Sequence, residues 1–361
     1  MQKESLLETD DIAVVVPTAT GSGRKKLLFW VQGTAFLFGL ALLVYVVYLI
    51  GYKTVLQKLE LVGWGVFIII GLNFARHLLR SLSMYIAVPP EDRHLSYGSV
   101  VAARLGGEAV GFLTVTGPLA DATKAMLLKR NLPLARAASA VMIDTLLYYV
   151  SVLIFILVGI VVLLMKFGSK GPTVNNVLIG VVAASFLILA ALVVTVRLRL
   201  TPISGFLAFL GRHHLLPQFL AKRIEDIRGV ENNVFQFYNE RTRDFFVVFG
   251  LALVVHFVSV TEVVAGLKLL EVDATWANSF IIEGLTKVIN LVFSFVPGTV
   301  GVYEGGNEAI LTWLGYTTAI GVSLALVRRS GILFTMFIGM VVLLWRGVSR
   351  SARELTHADE D

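Results

Sequence analysis

Six stretches of this chain, residues 27–51, 61–88, 134–165, 174–196, 245–270 and 316–345, are apolar almost without interruption. A helix rises about 1.5 Å per residue, so about 20 residues cross a hydrocarbon core roughly 30 Å thick, and every one of these runs is long enough. Hydrocarbon offers no partner to a free backbone N–H or C=O, which leaves the helix as the form these runs can take. They predict six full transmembrane helices in an all-α, polytopic integral membrane protein. Composition agrees: of 361 residues, 56% are hydrophobic and only 16% charged, with mean hydropathy +0.79. The absence of cysteine removes disulfides and thiolate metal sites, and no His- or Asp-rich ligand motif stands in their place. Neither a metal nor another cofactor is expected.

The charged residues orient the chain. Residues 1–26 are polar, end in "GSGRKK" and read as a disordered cytoplasmic tail. The run behind them is too long for the core of a cleaved signal peptide. Lys129, Arg130 and Arg136 flank the third long run, and residues 197–244 carry eight Lys and Arg, whereas the loops "KFGSKGPT" and "EVDAT" carry few. Basic loops favour the cytoplasmic side. Both termini are then cytoplasmic, with a transmembrane domain at 27–345, a cytoplasmic amphipathic segment at 197–244 and a polar C-terminal tail at 346–361. The net charge of +6 is a matter of topology and anionic lipid, not nucleic acid, because Glu225, Asp226, Glu231 and Glu240 interleave with the bases of that segment. Its apolar Phe219, Ile224, Ile227, Val234 and Phe237 recur at helical spacing, as in a helix lying on the membrane surface.

Two further apolar segments, 97–130 and 276–314, carry charges and are broken by "TGPLAD" and "FVPGTVGVYEGG". Proline removes a backbone donor and glycine permits a turn, so each segment is expected to enter and leave on one face as a re-entrant helical hairpin. Arg104 and Glu108 precede Pro118 by fourteen and ten residues; Glu283 and Lys287 precede Pro297 by the same intervals. Each pair lies at i, i+4 on one helical face, with the signs exchanged. The match indicates a duplication, with repeats at about 97–165 and 276–345 inverted about the membrane plane, the arrangement of transporters that bind at the midplane between broken helices. A half-helix beginning near Val302 would turn its positive end to the cavity, with Glu304 stabilising that end or a basic partner.

Charges also fall inside the apolar runs: Arg76, Arg80, Asp144, His256, Glu262, Arg328 and Arg329. An ion at the membrane centre costs about 2.5–3.5 kcal/mol on insertion scales, so these are expected to pair with one another or to line a polar pathway. Tryptophans such as Trp64, Trp276, Trp313 and Trp345 stand near span ends, where they anchor at the interface.

The stretches "GPLADATKAMLLKRNLPLARAASAVMIDTLLYYV", "FSFVPGTVGVYEGGNEAILTWLG" and "AIGVSLALVRRSGIL" resemble the paired signatures of the flippase-like transmembrane region of lysylphosphatidylglycerol synthases. The resemblance covers about residues 97–345. It implies that Asp121, Lys124 and Asp144 belong to a first signature and Pro297, Gly298, Gly301, Glu304 and Arg328 or Arg329 to a second, in a prokaryotic cytoplasmic membrane. The first signature departs from the usual pattern in "GPLADATK", which has fewer glycines and a lysine at the basic position, and "VMIDTL" lacks an arginine after the aspartate. Synthases carry an aminoacyl-transferase domain after this region; here that domain is not expected.

The leading expectation is a lipid flippase or transporter for an anionic phospholipid, glycolipid or polyprenyl-linked lipid, without a catalytic residue of its own. Arg104, Lys124, Lys287, Arg328 and Arg329 would contact phosphate. Glu108, Asp144, Glu283 and Glu304 would balance them or recognise a cationic group, and Asp144 and Glu304 are candidate proton carriers. The rival readings are a membrane-embedded lipid-modifying transferase, which lacks a catalytic loop or motif here, and an accessory subunit for a lipid-biosynthesis enzyme.

Overall fold

The computed structural model describes residues 53, 57, 60–113, 117–167, 172–213 and 224–358. Among them every regular element is a helix: α1 (Val66–Ala87), α2 (Tyr97–Leu113), α3 (Gly117–Leu128), α4 (Leu134–Phe167), α5 (Pro172–Arg197), α6 (Pro202–Arg212), α7 (Ile224–Glu240), α8 (Thr242–Leu269), α9 (Trp276–Val292), α10 (Val302–Trp313) and α11 (Thr318–Ala358), with short 3₁₀ turns at Gly63–Gly65, Pro90–Asp92 and Pro297–Thr299. Five stretches, Glu60–Ala87, Leu134–Phe167, Leu178–Thr195, Thr242–Leu269 and Thr318–Trp345, are long and apolar enough to cross a membrane. They coincide with five of the six expected spans. The sixth, at 27–51, and the tail before it lie outside the described residues. Helix α11 runs on to Ala358, so the segment expected as a polar tail continues the last span as helix.

Both broken segments fold into helix pairs, and their proportions match: α2 and α9 each have 17 residues, α3 and α10 each have 12. In the first pair Gly111 faces Ala120 and Gly107 faces Lys124; in the second Ile289 faces Gly306 and Thr286 bonds Asn307. Partners descend along one limb as they ascend along the other, so each pair is an antiparallel hairpin. The hairpins meet turn to turn, Phe112 of α2 lying against Gly298. Gly298 holds φ +58° and Gly301 φ +80°, the left-handed region that glycine adopts without penalty.

The same antiparallel relation holds between the halves. Helix α1 packs on α8 with Ile69 beside Gly266 and Arg76 beside Glu262. Helix α2 packs on α11 as α9 packs on α4, through Gly339 against the Leu105 backbone in one case and Gly159 against Gly284 in the other. In lipid, where burying apolar surface gives little drive, such close backbone approach through small residues holds helices together. Three apolar clusters fill the remaining space, centred on Met84 and Leu128, on Ile69 and Leu267, and on Ile156 and Ile160. The outward faces are apolar as well, for example Phe186, Leu187, Phe246 and Phe337.

The two ends of the bundle differ. At one, the last carbonyls of α1 are capped by Arg93 and Arg241, which reach Ile86 and Val88 and share Asp244; Arg136 pairs with Asp92 beside them. Cations at a helix C-terminus satisfy its orphan acceptors and oppose its dipole. Helices α6 and α7 cover this end, with Glu231 of α7 accepting from the backbone N–H groups of Ile203 and Ser204 at 2.8 and 3.1 Å. Of the apolar residues expected on the amphipathic segment, Phe237 joins the core, and Phe219 lies outside the described residues. At the other end Asn278 bonds Lys166 and the Tyr316 hydroxyl, joining the end of α4 to the starts of α9 and α11.

The tight backbone approaches make a clear prediction. A side chain on Gly321 would place Cβ 2.6 Å from Glu308 Cα, while one on Gly180 meets nothing within 4 Å. Gly321→Val is expected to cost about 1–3 kcal/mol by overpacking and Gly180→Val close to nothing, read as a fall in detergent thermal stability for the first variant alone.

Candidate functional site

The charges inside the apolar runs converge on two buried clusters of opposite sign pattern. In the first, Arg80 of α1 donates at 2.6 Å to Asp144 of α4, and Arg104 of α2 donates to the same oxygen. In the second, Glu262 of α8 and Glu283 of α9 accept from Arg328 of α11 at 3.1 and 2.7 Å. Each triad thus takes its outer members from the helix before a hairpin and the hairpin's first limb, and its central member from the long helix that follows. One reads cation–anion–cation, the other anion–cation–anion. Arg76 joins them, donating at 2.7 Å to Glu262 from one turn before Arg80. Helices α1 and α8 thus supply corresponding members of the two triads and lie outside the segments 97–165 and 276–345 that the sequence pairs.

Satellite pairs extend each triad. Glu108 accepts from Arg104 at 3.2 Å and faces Lys124 at 2.9 Å, and Lys124 also reaches Asp121 at 3.0 Å. Lys124 crosses to α2 over Gly107, where an added Cβ would lie 2.8 Å from the Ala120 carbonyl oxygen. Lys287 pairs with Glu283 at 2.9 Å. In the second hairpin Glu304 accepts from Gly301 N–H at 2.7 Å, capping α10, and from Arg329, whose other nitrogens bond the Gly298 and Thr299 carbonyls. The helix begins at Val302, where the sequence places it, and Glu304 serves both its terminus and a basic partner. Pro297 and Gly298 form the 3₁₀ turn that Arg329 holds.

Between the two hairpin turns lies a cavity of about 900 Å³. Arg104, Glu108, Asp121, Lys124 and Gly298 line it, together with Arg76, His77, Arg80, Tyr148, Asn290 and Tyr303. Asp144, Glu283, Lys287, Gly301, Glu304, Arg328 and Arg329 stand behind this wall, paired and buried. The structure therefore brings the expected residues into one network but gives them two positions, a cavity wall dominated by α1–α4 and a supporting layer dominated by α8–α11. His77, Tyr148 and Asn290 escaped the sequence reading. His77 had a signal in "ARHLLR", three basic residues within two turns of an apolar helix; Tyr148 and Asn290 had none.

Seven cations (Arg76, Arg80, Arg104, Lys124, Lys287, Arg328, Arg329) meet six carboxylates (Glu108, Asp121, Asp144, Glu262, Glu283, Glu304), an excess of one positive charge. Two guanidinium donors on the cavity residues, Arg80 Nε and Arg104 Nε, and the buried Asn290 Oδ1 have no hydrogen-bond partner. These atoms are themselves buried; what borders the cavity is the cationic side chains Arg76, Arg80, Arg104 and Lys124. Arg80 also stacks on Tyr148, its guanidinium carbon 3.7 Å from the ring centroid, which fixes the fork. The arrangement can hold an oxyanion; among the described residues no cluster of His, Asp and Glu is disposed to bind a metal.

Removing the centre of a triad strands two buried charges. Asp144→Asn is expected to destabilise the protein by about 3–5 kcal/mol. Exchanging all three signs, Arg80→Glu with Asp144→Arg and Arg104→Glu, recreates the pattern of the second triad and is expected to recover much of the loss. Thermal unfolding in detergent reads both; no recovery in the triple variant would show that sign pairing is not what holds the site.

A family model described as the lysylphosphatidylglycerol synthase TM region matches residues 34–339. No curated protein and no solved structure matches the chain.

Proposed function

Because the chain belongs to the lysylphosphatidylglycerol synthase transmembrane-region family, we propose that its lipid-related role is transport: it passes the head group of an anionic lipid across the bilayer through the cavity between the hairpins. The observation that carries this reading is a cavity lined from both hairpins, with the cationic side chains Arg76, Arg80, Arg104 and Lys124 on its wall. Helix α2 starts, and α3 ends, at the end of the bundle where α1 is capped by arginines; α9 starts and α10 ends at the opposite one. In a membrane each hairpin is then re-entrant, one from each face, and the halves form an inverted repeat. The arginine-rich end is cytoplasmic by the preference of basic loops for that side.

In this arrangement the head group exchanges water for fixed charges while its tails stay in lipid. Arg76, Arg80, Arg104 and Lys124 face the phosphate, and Glu108 and Asp121 keep the cations from holding it too tightly. The buried second triad and the Glu304–Arg329 clasp fix the facing turn. Arg76–Glu262 spans the two halves, as do Thr335–Asn73 and Ser151–His256, so relative movement of the repeats would have to remake these contacts. The membrane layers of α4, α8 and α11 hold no catalytic motif, and transport by this route needs none.

Reconstitution into liposomes with fluorescent phosphatidylglycerol tests the reading. Arg80→Gln and Lys124→Gln are expected to slow transbilayer movement at least tenfold, while Phe337→Ala, on the lipid face, leaves it unchanged. Chemical conversion of the head group without movement would instead favour the transferase, and movement unaffected by both cavity variants would reject the site.

A further inference from the structure

The cavity does not end at its charged wall. Beyond it the lining is apolar, with Ala122 and Ala125 of α3 and Ala138, Met142 and Leu146 of α4, residues at the spacing of one helical face, so the cavity extends as a slot along the packed pair α3–α4. Its inner end is polar, where the Thr145 hydroxyl donates to Asp121 at 3.2 Å. Its outer end is floored by Ile203 of α6 and Val230 of α7, at the arginine-rich end of the bundle. Along α4 the slot runs from Ala138 to Tyr149, about 16 Å at the rise of a helix. A free phosphate or sugar phosphate has no use for this apolar extension, and about 900 Å³ is far more room than an oxyanion needs.

We infer that the slot holds one acyl chain of the lipid whose head group the charged wall takes, and that the lipid arrives sideways along α3 and α4 from the leaflet at the arginine-rich end. This rests on the transport reading of the same site. Three features support it. The slot is continuous with the charged pocket, so the two together have the polarity of a single amphiphile. On α3 the slot is lined by the small Ala122 and Ala125, where larger side chains would narrow it. Helix α6 exposes Ile203, Phe206 and Phe209 at three-residue intervals beside the mouth, the apolar face of a helix seated in the interface of one leaflet.

The test uses the full chain in vesicles of phosphatidylglycerol containing a tracer whose acyl chain bears a photoactivatable diazirine. Irradiation followed by peptide mapping is expected to label Met142 and Ala122 peptides at least fivefold above α5, which faces lipid. Met142→Trp, and the milder Ala122→Leu in case tryptophan prevents folding, are expected to cut that labelling at least fivefold. Both should leave binding of water-soluble glycerol 1-phosphate, read by thermal shift, unchanged. Equal labelling of slot and α5 would overturn the inference; the transport reading would survive if glycerol 1-phosphate still bound and Arg80→Gln abolished it. Slot labelling without glycerol 1-phosphate binding would keep the slot and reject the anionic head group. The chain lacks cysteine, so a disulfide between Ala122→Cys and Ala41→Cys would report the slot filled by the chain's own apolar segment 27–51, which also overturns the inference.

Discussion

Two arginine–carboxylate triads buried among apolar helices hold this structure in its arrangement. An ion inside a low-dielectric bundle is costly unless a partner lies within hydrogen-bond reach. Asp144 therefore binds α1 and α2 to α4, and Arg328 binds α8 and α9 to α11. Each triad places a hairpin's first limb against two membrane-crossing helices at one depth. Arg76, one turn before Arg80 on α1, reaches Glu262 of the other triad, and Phe112 of one hairpin lies against Gly298 of the other. Polar cohesion of this kind costs some stability against an all-apolar core and gives register in return, since a one-turn slip would leave several charges without partners.

The inversion of sign between the triads follows from the geometry. If both halves carried the same pattern, either four arginines or four carboxylates would crowd the centre of the bundle as outer members. With the patterns reversed, the outer arginine side of one half faces the outer carboxylate side of the other, and Arg76–Glu262 forms at that seam. The surplus of one cation falls among Arg76, Arg80, Arg104 and Lys124, which border the cavity. Fixed structure and capacity for an oxyanion thus come from the same residues. The half of the network contributed by the second hairpin is fully enclosed: Glu304 and Arg329 clasp the glycine turn that forms the opposite wall.

Much of this was legible in the chain. Runs of more than 20 apolar residues leave the backbone no alternative to helix, so five spans fall where hydropathy puts them. Pro118 and Pro297 mark both breaks because proline and glycine act locally, and Val302 begins its helix where Gly301 ends the turn. The equal spacing of Arg104 and Glu108 before Pro118 and of Glu283 and Lys287 before Pro297 falls in two hairpins of equal limb lengths. It did not bring in α1 and α8, because Arg80 and Glu262 stand at unequal distances from their hairpins and correspond only through the partners they reach. Nor could it separate wall from support. Arg104 and Arg328 look alike in a string of apolar residues; which of them borders a cavity depends on how Gly107 lets α3 approach α2 and how Gly298 seats against Phe112. The extension of α11 to Ala358 was missed because composition reports polarity, and a polar stretch can prolong a helix beyond the membrane.

The most direct test is the reactivity of single cysteines at Pro118 and Thr299, one on each turn, in a chain with no other thiol. Both positions border the cavity, so both should react with a small charged methanethiosulfonate in proteoliposomes, and phosphatidylglycerol should slow the reaction relative to a neutral lipid. If neither reacts while cysteines at the helix ends do, the turns are packed dry in the bundle and the hairpins do not enclose a polar passage.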